Sequence, residues 1–404
     1  MNIVLLGGSN SVYSRALNFG LNTRNKEGIF NINKYSLGAT ASAHRIYSII
    51  RNYDVIKEAK FIIVDSYLND VLRVNEARMP VELVLENIEY MYLVLYQLNF
   101  NVLSIFITSP VGYKDTDVIL KKHIYCCKKY GFYYIDLESY YSIKKLKEWN
   151  KPFGSHPLRT IMLLLGKNIV DNINLFVNNH GFSIKSCLFK FLNRSIFKHC
   201  ITPPLQQYQI GSVLDNFYIY IPNDWLLDGA IKRTRKNSFF EEDCIRISEN
   251  DTVHFFPKNF IGFRILAIHT WNENDNKMMQ DNKFHTNCYA GIKIHNKSKK
   301  IVKYFNSLNS FSELHEKIFI DNCTSVEFTT LDQETEETQI TKKEYRLNCC
   351  DIVCFFLFKE SDLKVNSTKY NNFNRMELDC NFLIPPIEYF KEMIEEYNLV
   401  LNKK

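Results

Sequence analysis

The spacing of apolar positions changes twice along the 404-residue chain. Up to about residue 180, short apolar runs alternate with longer stretches in which apolar residues recur every three or four positions. The runs predict strands over 2–6, 30–36, 61–65, 102–108 and 132–135. The stretches between them predict helices over 12–21, 39–51, 81–98, 117–130 and about 158–177. Strand, helix, strand at this spacing predicts an α/β unit, a parallel sheet flanked by helices. From about 205 to 383 the runs shorten and Asn, Asp and Lys clusters separate them. Strands are predicted at 217–221, 244–247, 252–256, 263–268, 289–294, 318–320, 325–329 and 351–358, and this density suggests a β-rich sandwich or jelly roll.

Three parts follow: an α/β domain over 1–180, an amphipathic linker helix over 181–204, and a β-rich accessory domain over 205–404 that ends in a helix at 387–401. In the linker, Phe182, Ile184, Leu188, Phe191 and Ile196 recur at helical spacing with Lys185, Lys190, Arg194 and Lys198 around them. One reading is a helix packed between the domains. The other is a peripheral membrane contact through 182–199. Pro203-Pro204 ends the segment.

Charge refines this division. Residues 1–180 hold 21 Lys/Arg against 15 Asp/Glu, so the whole net charge of +6 lies there and the rest is balanced. A pI near 8.6 falls short of a nucleic-acid footprint, so no nucleic-acid partner is expected, whereas a modest anionic ligand fits the first domain. No run reaches the roughly 18 apolar residues of a membrane span. The run Ile3-Val4-Leu5-Leu6 stops at Gly7-Gly8 with no basic leader, so a cytoplasmic protein is expected, with the inner membrane as its periphery if the linker binds lipid. Adjacent cysteines at 126–127 and 349–350, with no CxxC, point to a reducing compartment and to no metal site.

The chemistry gathers at the predicted strand ends. Strand one runs into Gly7-Gly8-Ser9, which matches neither GxGxxG nor a P-loop and leaves Ser9 facing the crevice of an open α/β sheet. Gly38 follows strand two and can offer a backbone N–H. Asn69, after strand three, can offer an amide, and His156-Pro157 opens the last long helix of the domain. A serine nucleophile needs a base, and an acyl transition state needs donors for its oxyanion. Ser9, His156, Gly38 and Asn69 form such a set; helix capping by Ser9 and turn roles for Asn69 and Asp70 are the structural alternatives. Lys121, Lys122, Lys128 and Lys129 form either a solvated face or a phosphate contact.

The order Ser, Gly, Asn, His over about 150 residues resembles the SGNH hydrolase superfamily, the GDSL esterases and lipases. Gly7-Gly8-Ser9 corresponds to its GDS block, Tyr67-Leu68-Asn69-Asp70 to GxND, and Phe153-Gly154-Ser155-His156-Pro157 to DxxHP. The resemblance implies a flavodoxin-like sheet, Ser9 as nucleophile, His156 as base, and Gly38 and Asn69 as oxyanion donors. Gly8 replaces an Asp, Tyr67 a Gly, and Phe153 the triad Asp. Asp136, Glu148 or a backbone carbonyl are the candidate substitutes for orienting the imidazole.

What the resemblance implies is O-acyl chemistry. With no export signal expected, the reading is an O-acyltransferase, an O-acetyltransferase acting on a capsular or other surface polysaccharide or its precursor. Acetyl-CoA is then the co-substrate, and a glycan or nucleotide-sugar-type acceptor the partner. A carbohydrate or small-ester esterase, with no cofactor, is the first alternative. A degenerate hydrolase that only binds glycan is the second, and Trp225 and Trp271 are candidates to meet sugar faces.

Overall fold

The computed structural model describes residues 1–13, 15–23, 30–177, 216–237, 240–249, 251, 253–273, 289–306, 308–329, 347–360 and 378–401. The linker helix expected over 181–204, and with it the membrane contact, lies outside these residues.

The described residues form two compact units. The first takes in Met1–Asn75, Val84–Leu192 and Asn366–Lys404, and the second Glu76–Leu83 and Asn193–Val365. In the first, strands β1 (Asn2–Leu6), β2 (Asn31–Lys34), β3 (Phe61–Asp65), β4 (Val102–Phe106) and β5 (Tyr133–Asp136) make a parallel sheet of order β2-β1-β3-β4-β5. The strands β3 and β4 are buried along their whole length, as a sheet covered on both faces requires. The edge strand β2, Asn-Ile-Asn-Lys, is the partly exposed one.

Alternate residues point to opposite faces. Ile3, Leu5, Phe61, Ile63, Leu103, Ile105 and Ile135 share one core with Leu17 and Leu21 of the helix Leu17–Thr23 and with Ile161, Leu165 and Ile169 of the helix Arg159–Asp171. Those two helices cross at Gly20 and Gly166. A Cβ on Gly20 would come within 2.0 Å of the Leu163 carbonyl oxygen, and one on Gly166 within 2.5 Å of that of Leu17. This crossing joins the helix that follows Ser9 to the helix that follows His156.

The C-terminal segment departs from the expected division. It belongs to the first unit, not to the β-rich one: Cys380, Leu383, Ile384 and Ile387 enter the sheet's core. The Tyr134 N–H donates to the Leu378 carbonyl at 3.0 Å and the Cys380 N–H to the Tyr134 carbonyl at 2.8 Å. The tail thus pairs with the outer side of β5, an edge that would otherwise present unpaired backbone groups. The Tyr140 hydroxyl and the Lys144 ammonium then meet Glu388 of the final helix, Ile387–Leu401, at 2.6 and 2.9 Å.

The second unit holds two antiparallel sheets. One contains β6 (Phe217–Tyr220), β7 (Ile231–Lys236), β8 (Glu241–Ser248), β10 (Phe263–Asn272), β13 (Leu308–Glu313) and β15 (Cys349–Lys359). The other contains β9 (His254–Phe255), β11 (Tyr289–His295), β12 (Lys300–Asn306) and β14 (Ser325–Thr329). Ile245, Ile265 and Phe355 of the first share a core with Ile292, Ile301 and Val326 of the second. The apolar run at 318–320 is not a strand but makes a single bridge through Phe319 to Arg264. β7, Ile-Lys-Arg-Thr-Arg-Lys, gave no apolar signal because it is an edge strand with almost every side chain exposed. Trp225 and Trp271 are core residues, 1% and 0% exposed, with their indole N–H groups donating to Phe255 O and Glu273 Oε1, so neither offers a sugar a face.

Candidate active site

The strand order reverses direction at β1, with β2 on one side and β3 on the other, and open α/β sheets bind ligands in the crevice at such a switch point. Ser9 leaves the C-terminal end of β1 and Asn69 follows that of β3. Ser9 opens a single helical turn, Ser9–Val12, entered through Gly8.

Ser9 Oγ lies 2.8 Å from His156 Nε2 although 147 residues separate them. The other ring nitrogen, Nδ1, faces Ser155 Oγ at a long 3.4 Å. With the proton on Nδ1, Nε2 offers its lone pair to the Ser9 hydroxyl. Around the ring, Asn10 Nδ2 donates to the Ser155 carbonyl at 3.3 Å, and Tyr13 stands edge-on to the imidazole with centroids 4.6 Å apart. Burial, and next the positive charge of Arg159, hold the His156 pKa below the ordinary 6.5. The imidazole is therefore neutral, and basic, at pH 7.

No carboxylate among the described residues hydrogen-bonds this ring. Phe153 packs its ring against Trp149, 5.7 Å between centroids. Asp136 instead caps the helix Leu137–Ile143, accepting the Ser139 N–H at 2.8 Å, and Glu148 is exposed. Neither replaces the acid; the imidazole is oriented by Ser155 and by packing.

Asn69 is 4% exposed and its side chain makes no hydrogen bond with any described residue, so its amide donor is uncommitted. It lies against the nucleophile turn: a Cβ on Gly8 would come within 1.8 Å of Asn69 Nδ2. The glycine at position 8, where the resemblance has an acid, is thus what admits the amide. Gly38 lies exposed in the loop after β2, and a Cβ there would meet nothing within 4 Å. The structure records no contact between it and the other three.

Two carboxylates support the turn from beneath: Asp65, which had no sequence signal, and Asp70, expected only as a turn residue and as the last residue of the GxND block. Asp65, at the end of β3, accepts the Ser11 hydroxyl at 3.0 Å and also the Gly8 N–H. Asp70 accepts the Ser42 N–H at 3.0 Å, the Ser42 and Ser66 hydroxyls at 2.7 and 3.0 Å, and lies 3.1 Å from His123 Nε2. It anchors the helix Tyr67–Asn75 that carries Asn69. Of the four lysines weighed as a phosphate contact, Lys122 and Lys129 are committed to Glu89 at 2.5 and 2.6 Å. No group of three His, Cys, Asp or Glu among the described residues is arranged to hold a metal ion. No described helix is long and apolar enough to cross a membrane.

No protein-family model and no curated protein matches the chain. Solved structures do. They include TesA, 14% identical over 43% of this chain and 96% of its own, with a TM-score of 0.34. An acetyl xylan esterase, AlAXEase, is 14% identical over 43% and 98%, with a TM-score of 0.33. The acetylxylan esterase Axe2 of Geobacillus stearothermophilus, as a catalytic mutant, is 9% identical over 44% and 93%, with a TM-score of 0.35. A putative GDSL-like lipase from Parabacteroides merdae is a further similar structure, 11% identical over 42% of this chain and 95% of its own, with a TM-score of 0.33. These structures cover the N-terminal part of the chain and leave the two antiparallel sheets unmatched.

Proposed function

We propose that the first unit is a serine acyl-transfer centre acting on O-acyl groups. The observation that carries this reading is the Ser9–His156 hydrogen bond of 2.8 Å at the switch point of the sheet. His156 Nε2 takes the Ser9 proton as Oγ attacks the acyl carbonyl, and later returns it to the leaving atom, the oxygen of an ester donor or the sulfur of a thioester donor. The Asn69 amide supplies a donor to the developing oxyanion, and the Gly38 N–H is the second donor in this reading. The acyl group on Ser9 then passes to an oxygen nucleophile, whose proton His156 takes and returns to Ser9 Oγ as the Ser9 ester bond breaks. Lacking a carboxylate partner, the imidazolium formed in each step is less stabilised than in a full triad.

We read the acceptor as a glycan hydroxyl and the donor as acetyl-CoA, which makes the protein an O-acetyltransferase of a surface polysaccharide or its precursor. The basic excess of residues 1–180, which suits an anionic donor, supports this choice. Water as acceptor would make the same centre a carbohydrate esterase. Labelling by a fluorophosphonate probe that Ser9→Ala abolishes is the expected result for the nucleophile; equal labelling of both proteins overturns it. Glycan-dependent consumption of acetyl-CoA, with acetate gained by the glycan in mass spectra, tests transfer; free acetate released from acetylated sugar assigns hydrolysis.

A further inference from the structure

We propose that Arg159, held over Tyr13 at the edge of the Ser9–His156 pair, is the subsite for an anionic group, a carboxylate or a phosphate, on the substrate that reacts at Ser9. The inference rests on the acyl-transfer reading and names the substrate class it leaves open.

The placement comes from Tyr13, which both residues touch. Its ring meets His156 edge-on at 4.6 Å, and the Arg159 guanidinium carbon lies 5.1 Å from its centroid. Tyr13 is 39% exposed and Arg159 is exposed, so the pair opens to solvent beside the nucleophile. Several other cations of this unit are engaged. Lys122 and Lys129 pair with Glu89, Lys147 with Glu138, Arg45 donates to Thr40 and the Asp65 carbonyl, and Arg73 to the Ala39 carbonyl. The Arg159 guanidinium makes no hydrogen bond or ion pair with any described residue. Stacking on the ring leaves the guanidinium edge, with its forked donors, open to a planar carboxylate or a phosphate.

The position matters to the chemistry as well as to binding. A bare cation here opposes formation of the His156 imidazolium, and His156 has no carboxylate partner to offset it. An anion seated on Arg159 cancels that repulsion at the moment the imidazole takes the Ser9 proton. The substrate's own charge then supplies part of what a triad acid would. Such an interaction is stronger in the transition state than in the ground state, so it raises kcat and not only affinity.

The test uses three acetyl esters of similar shape: para-acetoxybenzamide, para-acetoxybenzoate and para-acetoxyphenyl phosphate. For the full-length protein, kcat/KM for the anionic esters should exceed that for the amide by about tenfold, with part of the gain in kcat. Arg159→Gln should bring the ratio close to one, and Arg159→Lys should keep part of it. A preference for the benzoate alone points to an acidic sugar, and for the phosphate alone to a phosphorylated donor. An anionic-to-neutral ratio that Arg159→Gln leaves unchanged overturns the subsite while the nucleophile stands. If Ser9→Ala does not diminish turnover of any ester, the acyl-transfer reading fails instead. The subsite is then decided by calorimetric binding of para-acetoxybenzoate to the Ser9→Ala protein. Binding tighter than that of the amide and lost on adding Arg159→Gln upholds it; equal binding overturns it.

Discussion

Replacing Gly8 by alanine adds one methyl group and tests the link between the nucleophile turn and Asn69. The backbone at Gly8, with φ −93° and ψ −151°, is open to alanine, so the effect is steric. The new Cβ would sit 1.8 Å from Asn69 Nδ2, whereas non-bonded contacts settle near roughly 3.5 Å. The amide must therefore retreat by more than an ångström, or the turn must shift by as much. Displacements of that size cost about 10²-fold in catalysis, and removing one oxyanion donor costs about 10²–10³ in kcat, or about 2.7–4 kcal/mol. Gly8→Ala should accordingly lower kcat on a phenyl acetate by at least about 10²-fold. Overpacking should also lower stability by about 1–3 kcal/mol, to be read from urea unfolding under conditions where both proteins are folded. A double-mutant cycle carries the argument. Asn69→Ala removes the same donor, so the double variant should be no slower than Asn69→Ala alone by more than about threefold. If Gly8→Ala keeps kcat within about threefold of the original protein, or if the two losses multiply, Asn69 is not the donor that Gly8 admits.

Three further outcomes follow from the same geometry. Because burial and Arg159 hold the His156 pKa below 6.5, the base stays neutral as pH falls, and the acidic limb of kcat/KM should lie below pH 6.5. Arg159→Gln should move that limb upward; a limb that stays in place would remove Arg159 as a cause. Asp65→Asn should weaken the support under the Ser11 hydroxyl and the Gly8 N–H and lower stability by about 1–3 kcal/mol in thermal or urea unfolding. Gly166→Ala would press a methyl group against the Leu17 carbonyl and force the helices apart, with a loss of about 1–3 kcal/mol. It should also slow Ser9 labelling by a fluorophosphonate, since that crossing sets the Ser9 and His156 loops against each other.

Much of the α/β unit is legible in its sequence because its strands are buried on both faces and its helices carry apolar stripes. β1 and β3 occupy the predicted spans, and β4 and the helix Val81–Gln97 differ only at their ends. The edge strands are harder to read: β2 is shorter than its pattern, and β7 has no apolar alternation at all. Within the site, Ser9, Asn69 and His156 stood out because each follows a strand or opens a helix. Of the candidates for orienting the imidazole, Asp136 and Glu148 do not reach the ring, since proximity in sequence does not say which way a side chain turns. Asp136 turned to the free N–H groups of its own helix.

The sequence by itself determined that the first unit would be a parallel sheet with a serine, an asparagine and a histidine at its strand ends, because pattern and local turn chemistry act over a few residues. Only the tertiary structure decided that the Ser9 hydroxyl meets His156 across 147 residues, that the C-terminal segment returns to close the β5 edge, and that Arg159 stands beside the base without a carboxylate. Those outcomes depend on the Gly20–Gly166 helix crossing and on an unpaired sheet edge. Both are properties of packed surfaces, which no short window of sequence contains.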